Sequence, residues 1–133
     1  MRPVFEMTFT AGPEHIDELG HVNNAVWVQW MEQVAVAHWE ALAEPAHKDA
    51  YFWVVVRHEI DYLRAAFEGD RITARTWVGE APKGARFDRH VEFIGNDGRL
   101  CVRARTAWAI IDKAPAKPIR VPLEVVAPFL GPE

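Results

Sequence analysis

The chain has 133 residues and a formal net charge of -4, and half of its residues are hydrophobic. That length suits one domain with a sizeable core over residues 1–133, and the acidic balance argues against nucleic-acid binding through overall charge. A single cysteine excludes an internal disulfide framework and favours a reducing compartment, the cytoplasm. Because no basic segment followed by an apolar run opens the chain, neither export nor membrane insertion is expected.

The first third of the chain predicts a strand and then an enclosed helix. Residues 4–10 alternate between polar and apolar, as a strand does, and the Gly12 and Pro13 pair ends them. Residues 24–42 read as a helix whose apolar side chains cover most of its circumference. Since such a helix cannot leave all its sides in water, other elements must wrap it.

Four further strands are predicted to supply the wrapper. Apolar residues at alternate positions mark residues 52–63, 71–79, 86–94 and 99–111. In the first of these, one predicted face carries Val54, Val56, His58, Ile60 and Tyr62. The connections are short and one of them contains Asn-Asp-Gly, a strong hairpin signal, so the sheet is expected to be mainly antiparallel.

One strand, a buried helix and four strands predict an α+β domain in which a curved five-stranded antiparallel sheet wraps a long central helix. This arrangement resembles the hotdog fold. Residues 123–129 add a predicted short terminal helix. Because one such sheet leaves open edge strands, two copies are expected to join their sheets, which predicts a homodimer or a homotetramer.

The polar segment at residues 15–24, His-Ile-Asp-Glu-Leu-Gly-His-Val-Asn-Asn, contains the candidate chemistry. The first N–H groups of a helix have no intrahelical partner and carry partial positive charge, so those near Asn23 and Asn24 can hold a polarised carbonyl oxygen. Gly20 permits a tight turn, and Asp17 can place its carboxylate across the same small space. A carboxylate and an oxyanion site are therefore expected together.

These residues resemble the 4-hydroxybenzoyl-CoA thioesterase-like family of hotdog proteins, which often reads Asp-x-Asp-x-x-Gly-His-Val-Asn-Asn at this place. Residues 17–24 match from the second aspartate onward, whereas His15, which helps to shape the loop, replaces the first and leaves acyl specificity open. The resemblance continues through residues 59–63, 69–70, 106–108 and 111–112, and so covers most of the chain.

The resemblance implies an acyl-CoA thioesterase that needs neither a cofactor nor a metal. Asp17 would be the nucleophile or the general base, and the backbone N–H of Asn24 would polarise the thioester carbonyl. An acyl-CoA is the implied substrate, with a thioester of acyl carrier protein as a less favoured one. Thioesters suit a single carboxylate, because their carbonyl is electrophilic and their thiolate leaves without a strong acid.

Each of these assignments has a structural alternative. An isolated Asp17 would be read as an Asx-turn residue, and only the residues that follow it favour catalysis. His21 could contact the substrate or activate water, although a hydrogen-bonding role is common near a helix start. Asn23 is expected to cap the helix. Glu32, a carboxylate in an apolar helix, is a rival catalytic acid, and its structural alternative is an ion pair with an arginine.

Other residues are candidates for substrate contacts. Lys83, Arg86 and Arg89 lie in or just after a predicted turn, where the family resemblance implies contacts to the nucleotide phosphates of CoA and ordinary surface charge is the alternative. The side chain of Trp27 is a candidate to line a tunnel for an acyl or aryl group. His58 is expected to be a core or pocket-wall residue and not a base.

Two other functions fit the same predicted fold. The first is a catalytically silent module that binds acyl-CoA, against which the carboxylate at Asp17 counts. The second is a hotdog dehydratase or hydratase. Such enzymes usually show a histidine before a Phe-Pro-Gly or similar stretch, or a paired aspartate and histidine in a hydratase signature, and neither occurs in this sequence.

Overall fold

The computed structural model describes residues 3–131, so the predicted domain of residues 1–133 includes two residues at each end that lie outside the described part. The elements lie, in chain order, at β1 Phe5–Thr10, a short 3-10 helix Pro13–His15, α1 Asn24–Leu42, α2 Pro45–Ala50, β2 Tyr51–Tyr62, β3 Arg71–Val78, β4 Arg86–Ile94, β5 Leu100–Asp112, β6 Lys117–Pro118 and α3 Leu123–Leu130.

The strands form one antiparallel sheet in the order β1-β3-β4-β5-β2, and β6 adds a two-residue ladder to β5. Strands β1 and β2 are therefore the edges of the main sheet. The sheet curls around α1, which confirms the predicted α+β hotdog fold with five main strands and a long helix. The predicted bounds of that helix are confirmed as well, since α1 spans Asn24–Leu42.

Helix α1 buries one side against the sheet and leaves the other side partly open. Its buried side includes Val26, Trp30 and Val34, which follow one another at a spacing of one helical turn. On other sides of the helix, the exposed fractions of Val36 and Leu42 are 55% and 40%. The sheet of one copy of the chain therefore covers only one side of α1. The prediction that other elements enclose this helix is confirmed for that side alone.

A bulge in β2 places residues that were predicted to share one face of the strand on opposite faces. The pairing of β2 with β5 shifts register between Val55 and Arg57. An extra residue at a bulge reverses the alternation of side chains that follow it. Val54 and Val56 are consequently exposed, whereas His58, which was predicted to share their face, is half-buried.

The predicted inner faces of β3 and β4 are confirmed, and strict alternation explains why. The inward-facing residues of β3 are all buried, namely Ile72, Ala74, Thr76 and Val78. The terminal helix was also predicted, whereas α2 and β6 were not, since six and two residues are too few to show a periodic pattern. None of the helices within residues 3–131 is both long enough and apolar enough to cross a bilayer.

Candidate active site

A cleft of about 390 Å³ lies where the polar segment, the start of α1 and the end of β2 meet. Its lining includes five of the residues predicted from the sequence, namely Asp17, His21, Asn23, Asn24 and Trp27. Gly20 does not line the cleft, but its φ of 82° lies in the left-handed region that favours glycine and lets the segment turn tightly beside it.

Asp17 holds this turn together and still has a free carboxylate oxygen. The backbone N–H of Asp17 donates to the carbonyl of His21 at 2.9 Å, and the N–H of Gly20 donates to the carbonyl of Asp17 at 3.0 Å. The Oδ1 atom of Asp17 accepts from the N–H of Leu19 at 2.9 Å. The Asx-turn alternative is therefore present in the structure. It does not use Oδ2, which has no hydrogen-bond donor among residues 3–131 and remains available to a ligand in the cleft.

The start of α1 offers an unpaired donor to the same cleft. Asn23 is the predicted cap, since its Oδ1 accepts from the N–H of Ala25 at 2.8 Å and its carbonyl accepts from the N–H of Val26 at 2.9 Å. The N–H of Asn24, immediately before these two donors in the chain, has no acceptor within the described part of the protein. It can therefore donate to a substrate oxygen, and the helix dipole strengthens that donation.

Two histidines have different roles around the segment. His15 shapes the loop, because its Nδ1 accepts from the N–H of Gly12 at 2.9 Å and its carbonyl accepts from the N–H of Asn23 at 2.9 Å. His21 lines the cleft with its ring edge-on to Phe67, at 5.3 Å between centroids. Its ring makes no hydrogen bond within residues 3–131, so it is placed to contact a ligand.

The end of β2 supplies cleft residues that were not assigned from the sequence. Tyr62, Leu63 and Arg64 all line the cleft, and the hydroxyl of Tyr62 lies 3.4 Å from the carbonyl of Asn24. The family resemblance runs through residues 59–63 and could have indicated Tyr62 and Leu63 as candidates. Nothing in the local sequence indicates that this strand end lies beside the helix start.

Glu32 and His58, both predicted as substrate contacts, lie together away from the lining of this cleft. The Oε2 atom of Glu32 is 3.8 Å from the Nε2 atom of His58, and the Nδ1 atom of His58 is 2.7 Å from the hydroxyl of Thr106. The partner of Glu32 is thus a histidine and not the arginine that the structural alternative named.

Two of the three predicted phosphate-binding cations share a groove on the outer face of the sheet. Lys83 and Arg86 line a groove of about 440 Å³, together with two further arginines, Arg57 and Arg105, and three carboxylates, Glu59, Glu80 and Asp88. Arg105 is already paired there, because its Nη2 donates to a carboxylate oxygen of Asp88 at 2.6 Å. No carboxylate within residues 3–131 lies within 4.0 Å of Lys83 or Arg86, so both charges are free for an anionic ligand.

Arg89 is not part of that cluster, and the structure separates it from the two cations with which it was predicted to bind the phosphates of CoA. Arg86 and Arg89 are an odd number of residues apart on β4, so their side chains leave opposite faces of the sheet. Arg89 is buried on the inner face, where its Nη1 donates to Nδ1 of His38 at 2.8 Å and to the hydroxyl of Thr76 at 3.0 Å. Burial and the charge of Arg89 lower the pKa of His38 to about 3, so this imidazole is neutral.

The fold is that of the hotdog proteins. A family model described as the thioesterase-like superfamily matches residues 11–129. The chain belongs to this superfamily, which confirms the family resemblance predicted from the sequence.

Similar proteins include two hydrolases of acyl carrier protein thioesters and one protein solved in complex with CoA. An acyl-[acyl-carrier-protein] hydrolase of Cuphea viscosissima chloroplasts, FATB3, is 29% identical over 73 residues, which is 55% of this chain but only 18% of that relative's length. The Staphylococcus aureus protein SAV2348, solved in complex with CoA, has a TM-score of 0.86 and 16% identity, over 100% of this chain and 89% of that one. An acyl-ACP thioesterase from Bacteroides thetaiotaomicron has a TM-score of 0.82 and 24% identity, over 98% of this chain and 54% of that one. The two solved structures share the fold.

Proposed function

We propose that the chain hydrolyses acyl-CoA thioesters to a free carboxylic acid and CoA. The observation that carries this proposal is the presence of two unpaired groups at one cleft, the Oδ2 atom of Asp17 and the backbone N–H of Asn24. Membership of the thioesterase-like superfamily supports the reaction class. We place the reaction in the cytoplasm, because Cys101 is free and buried and so suits a reducing compartment.

In the route that we favour, Asp17 acts as a general base. It takes a proton from water while the water oxygen bonds to the acyl carbon, and the carbonyl oxygen gains negative charge opposite the N–H of Asn24. Collapse of this intermediate breaks the carbon–sulfur bond, and the proton on Asp17 passes to the departing thiolate. In the alternative route Asp17 attacks the acyl carbon and the thiolate of CoA leaves, which gives a mixed anhydride; water then hydrolyses the anhydride to the free acid and the Asp17 carboxylate.

The outer groove is the proposed site for the nucleotide phosphates of CoA. Lys83 and Arg86 offer two unpaired cations there, and the fork of donors on an arginine matches phosphate oxygens well. Acyl carrier protein presents its thioester on pantetheine without the nucleotide. This groove therefore favours CoA as the carrier over acyl carrier protein.

The function is tested by thiol release from acyl-CoAs of different chain types, compared with the matching acyl-pantetheines. The double variant K83Q/R86Q is expected to raise KM for acyl-CoA by about tenfold, because a charge-assisted hydrogen bond contributes about 1.5–3 kcal/mol and less where water competes. The variant should leave turnover of acyl-pantetheine unchanged, because that substrate has no nucleotide.

The matched control is R103Q, since Arg103 is exposed on the same strand as Arg105 but does not line the groove. An equal loss on both carriers would argue against the nucleotide role of Lys83 and Arg86. If the natural protein bound acyl-CoA and released no thiol from any thioester, the chain would be a silent acyl-CoA-binding module instead.

Pairing of two chains along β2 is the proposed assembly, giving a homodimer or a homotetramer of two such dimers. Edge strand β2 has 12 residues, against 6 in β1, and it exposes Phe52, Val54 and Val56. A long apolar edge is normally covered by another strand. Strand β1 instead exposes polar residues such as Thr8.

A lysine in the middle of β2 should separate the two chains. In an antiparallel pair of β2 strands the two copies of V56K would lie close together, and facing like charges destabilise strand pairing. We expect light scattering to give the mass of an assembly for the natural protein and that of a single chain for V56K. Since Thr8 lies on the other edge, T8K should assemble normally. A natural protein with the mass of one chain would contradict the proposal.

A further inference from the structure

A second cavity lies at the far end of α1 from the cleft. It has a volume of about 320 Å³ and is bordered by the C-terminal half of α1, the start of β2 and strands β4 and β5. Aromatic residues are the largest group in its walls, among them Trp39, Trp53, Phe87 and Trp108. Two carboxylates, Glu40 and Asp88, also line it, and each is paired with a cation other than Arg89. It shares no lining residue with the cleft at Asp17, so a molecule bound in it would contact a different set of side chains.

Arg89 brings a buried positive charge to the wall of this cavity. Burial lowers the pKa of its guanidinium to about 10, so the group is still a cation at neutral pH. Its hydrogen-bond partners, His38 and Thr76, are both uncharged. No carboxylate within residues 3–131 lies within 4.0 Å of it, and an isolated buried ion costs several kcal/mol.

The donors left on Arg89 have the geometry that a carboxylate needs. Its Nη1 atom makes both hydrogen bonds, whereas Nε and Nη2 have no acceptor within the described residues. Two parallel N–H groups of a guanidinium bind the two oxygens of a carboxylate.

The two lysines of this cavity are less available than Arg89 to bind such a carboxylate. The Nζ atom of Lys48 donates to the carbonyl of Glu40 at 3.0 Å and lies 3.3 Å from its carboxylate. The Nζ atom of Lys113 donates to the carbonyl of Lys48 at 3.0 Å. Both ammonium groups therefore already have oxygen partners. Lys113, like Arg89, has no carboxylate within 4.0 Å among residues 3–131, but it is exposed to water, whereas Arg89 is buried.

We propose that this cavity binds a small apolar carboxylic acid, with the carboxylate on Arg89 and the apolar body among the tryptophans. A ligand anion would supply the counter-charge that the fold does not, and the aromatic walls would take up the hydrocarbon or aryl part. The cavity volume lies at the lower end of the range of about 300–1,000 Å³ that is usual for small-molecule sites. Binding here does not require the hydrolysis proposed at Asp17.

The test is calorimetric titration of the full chain with octanoate and, as its uncharged counterpart, octanamide. Octanoate is expected to bind at least about tenfold more tightly, since a charge-assisted pair at a buried arginine exceeds a neutral hydrogen bond by 1.4 kcal/mol or more. R89Q should abolish this preference. V36W should block binding of both compounds from the rim, where Val36 is exposed and a larger side chain does not disturb the core.

D17N is the control that separates this site from the proposed active site, and it should bind octanoate as the natural protein does. Equal affinity for octanoate and octanamide would overturn the role of Arg89. Octanoate binding that D17N removes, or that V36W leaves intact, would overturn the location. Absence of octanoate binding to the natural protein would overturn the proposal as a whole, whatever its thioesterase activity.

Discussion

Replacing Asp17 by asparagine is expected to lower thioester turnover by about a hundredfold or more, with little change in substrate binding. Removal of a general base or nucleophile costs about two to four orders of magnitude in rate. Asparagine has the shape of aspartate, and its side-chain oxygen can still accept from the N–H of Leu19, so the turn should persist. Thiol release under saturating acyl-CoA, alongside direct measurement of acyl-CoA affinity, separates the two effects.

Two further variants make this prediction specific. E18Q removes a carboxylate from the exposed neighbouring position and should retain full activity. E32Q tests the rival catalytic acid, which lies beside His58 outside the lining of the cleft, and it should also retain activity. A hundredfold loss in E32Q with an active D17N would transfer the catalytic role from Asp17 to Glu32.

Replacing Asn24 by proline is expected to lower turnover by about a hundredfold or more, because one oxyanion-hole donor contributes about 10²–10³ in rate. Proline has no N–H, and it is favoured at the first position of a helix. The preceding residue must be extended, and Asn23 has φ of -61° and ψ of 139°, which is compatible with a following proline. The substitution therefore removes one donor and is expected to preserve the helix.

The matched control is N24A, which removes the side chain of Asn24 and leaves its N–H in place. We expect N24A to retain turnover within a few-fold of the natural protein, and both variants to show the same helical circular dichroism. A proline variant with full activity would show that the carbonyl is polarised by another group. An alanine variant as inactive as the proline variant would assign the role to the Asn24 side chain.

The cation cluster illustrates how residues that are close in the sequence can separate in the fold. Lys83, Arg86 and Arg89 fall within seven positions, and the family resemblance implied phosphate contacts for all three. Arg86 and Arg89 lie on one strand, where alternation sends their side chains to opposite faces. The outer side chain faces a groove, and the inner one is buried against His38, so the two arginines belong to different sites.

The sequence by itself determined the features that depend on neighbours a few residues away. These are the span of α1, the alternating faces of β3 and β4, the cap at Asn23 and the turn that begins at Asp17. Helical periodicity, strand alternation, capping and Asx-turns all act within about four residues, so the order of side chains is sufficient to predict them.

Only the tertiary structure decided the features that depend on which element lies opposite. The bulge in β2 follows from its register with β5, and Tyr62 reaches the carbonyl of Asn24 across 38 residues of chain. The contact between Arg89 and His38 joins residues 51 positions apart. Such contacts arise when the sheet curls around α1 and brings distant strands over the helix. The cleft and the second cavity, which α1 lines together with strands, are products of that closure.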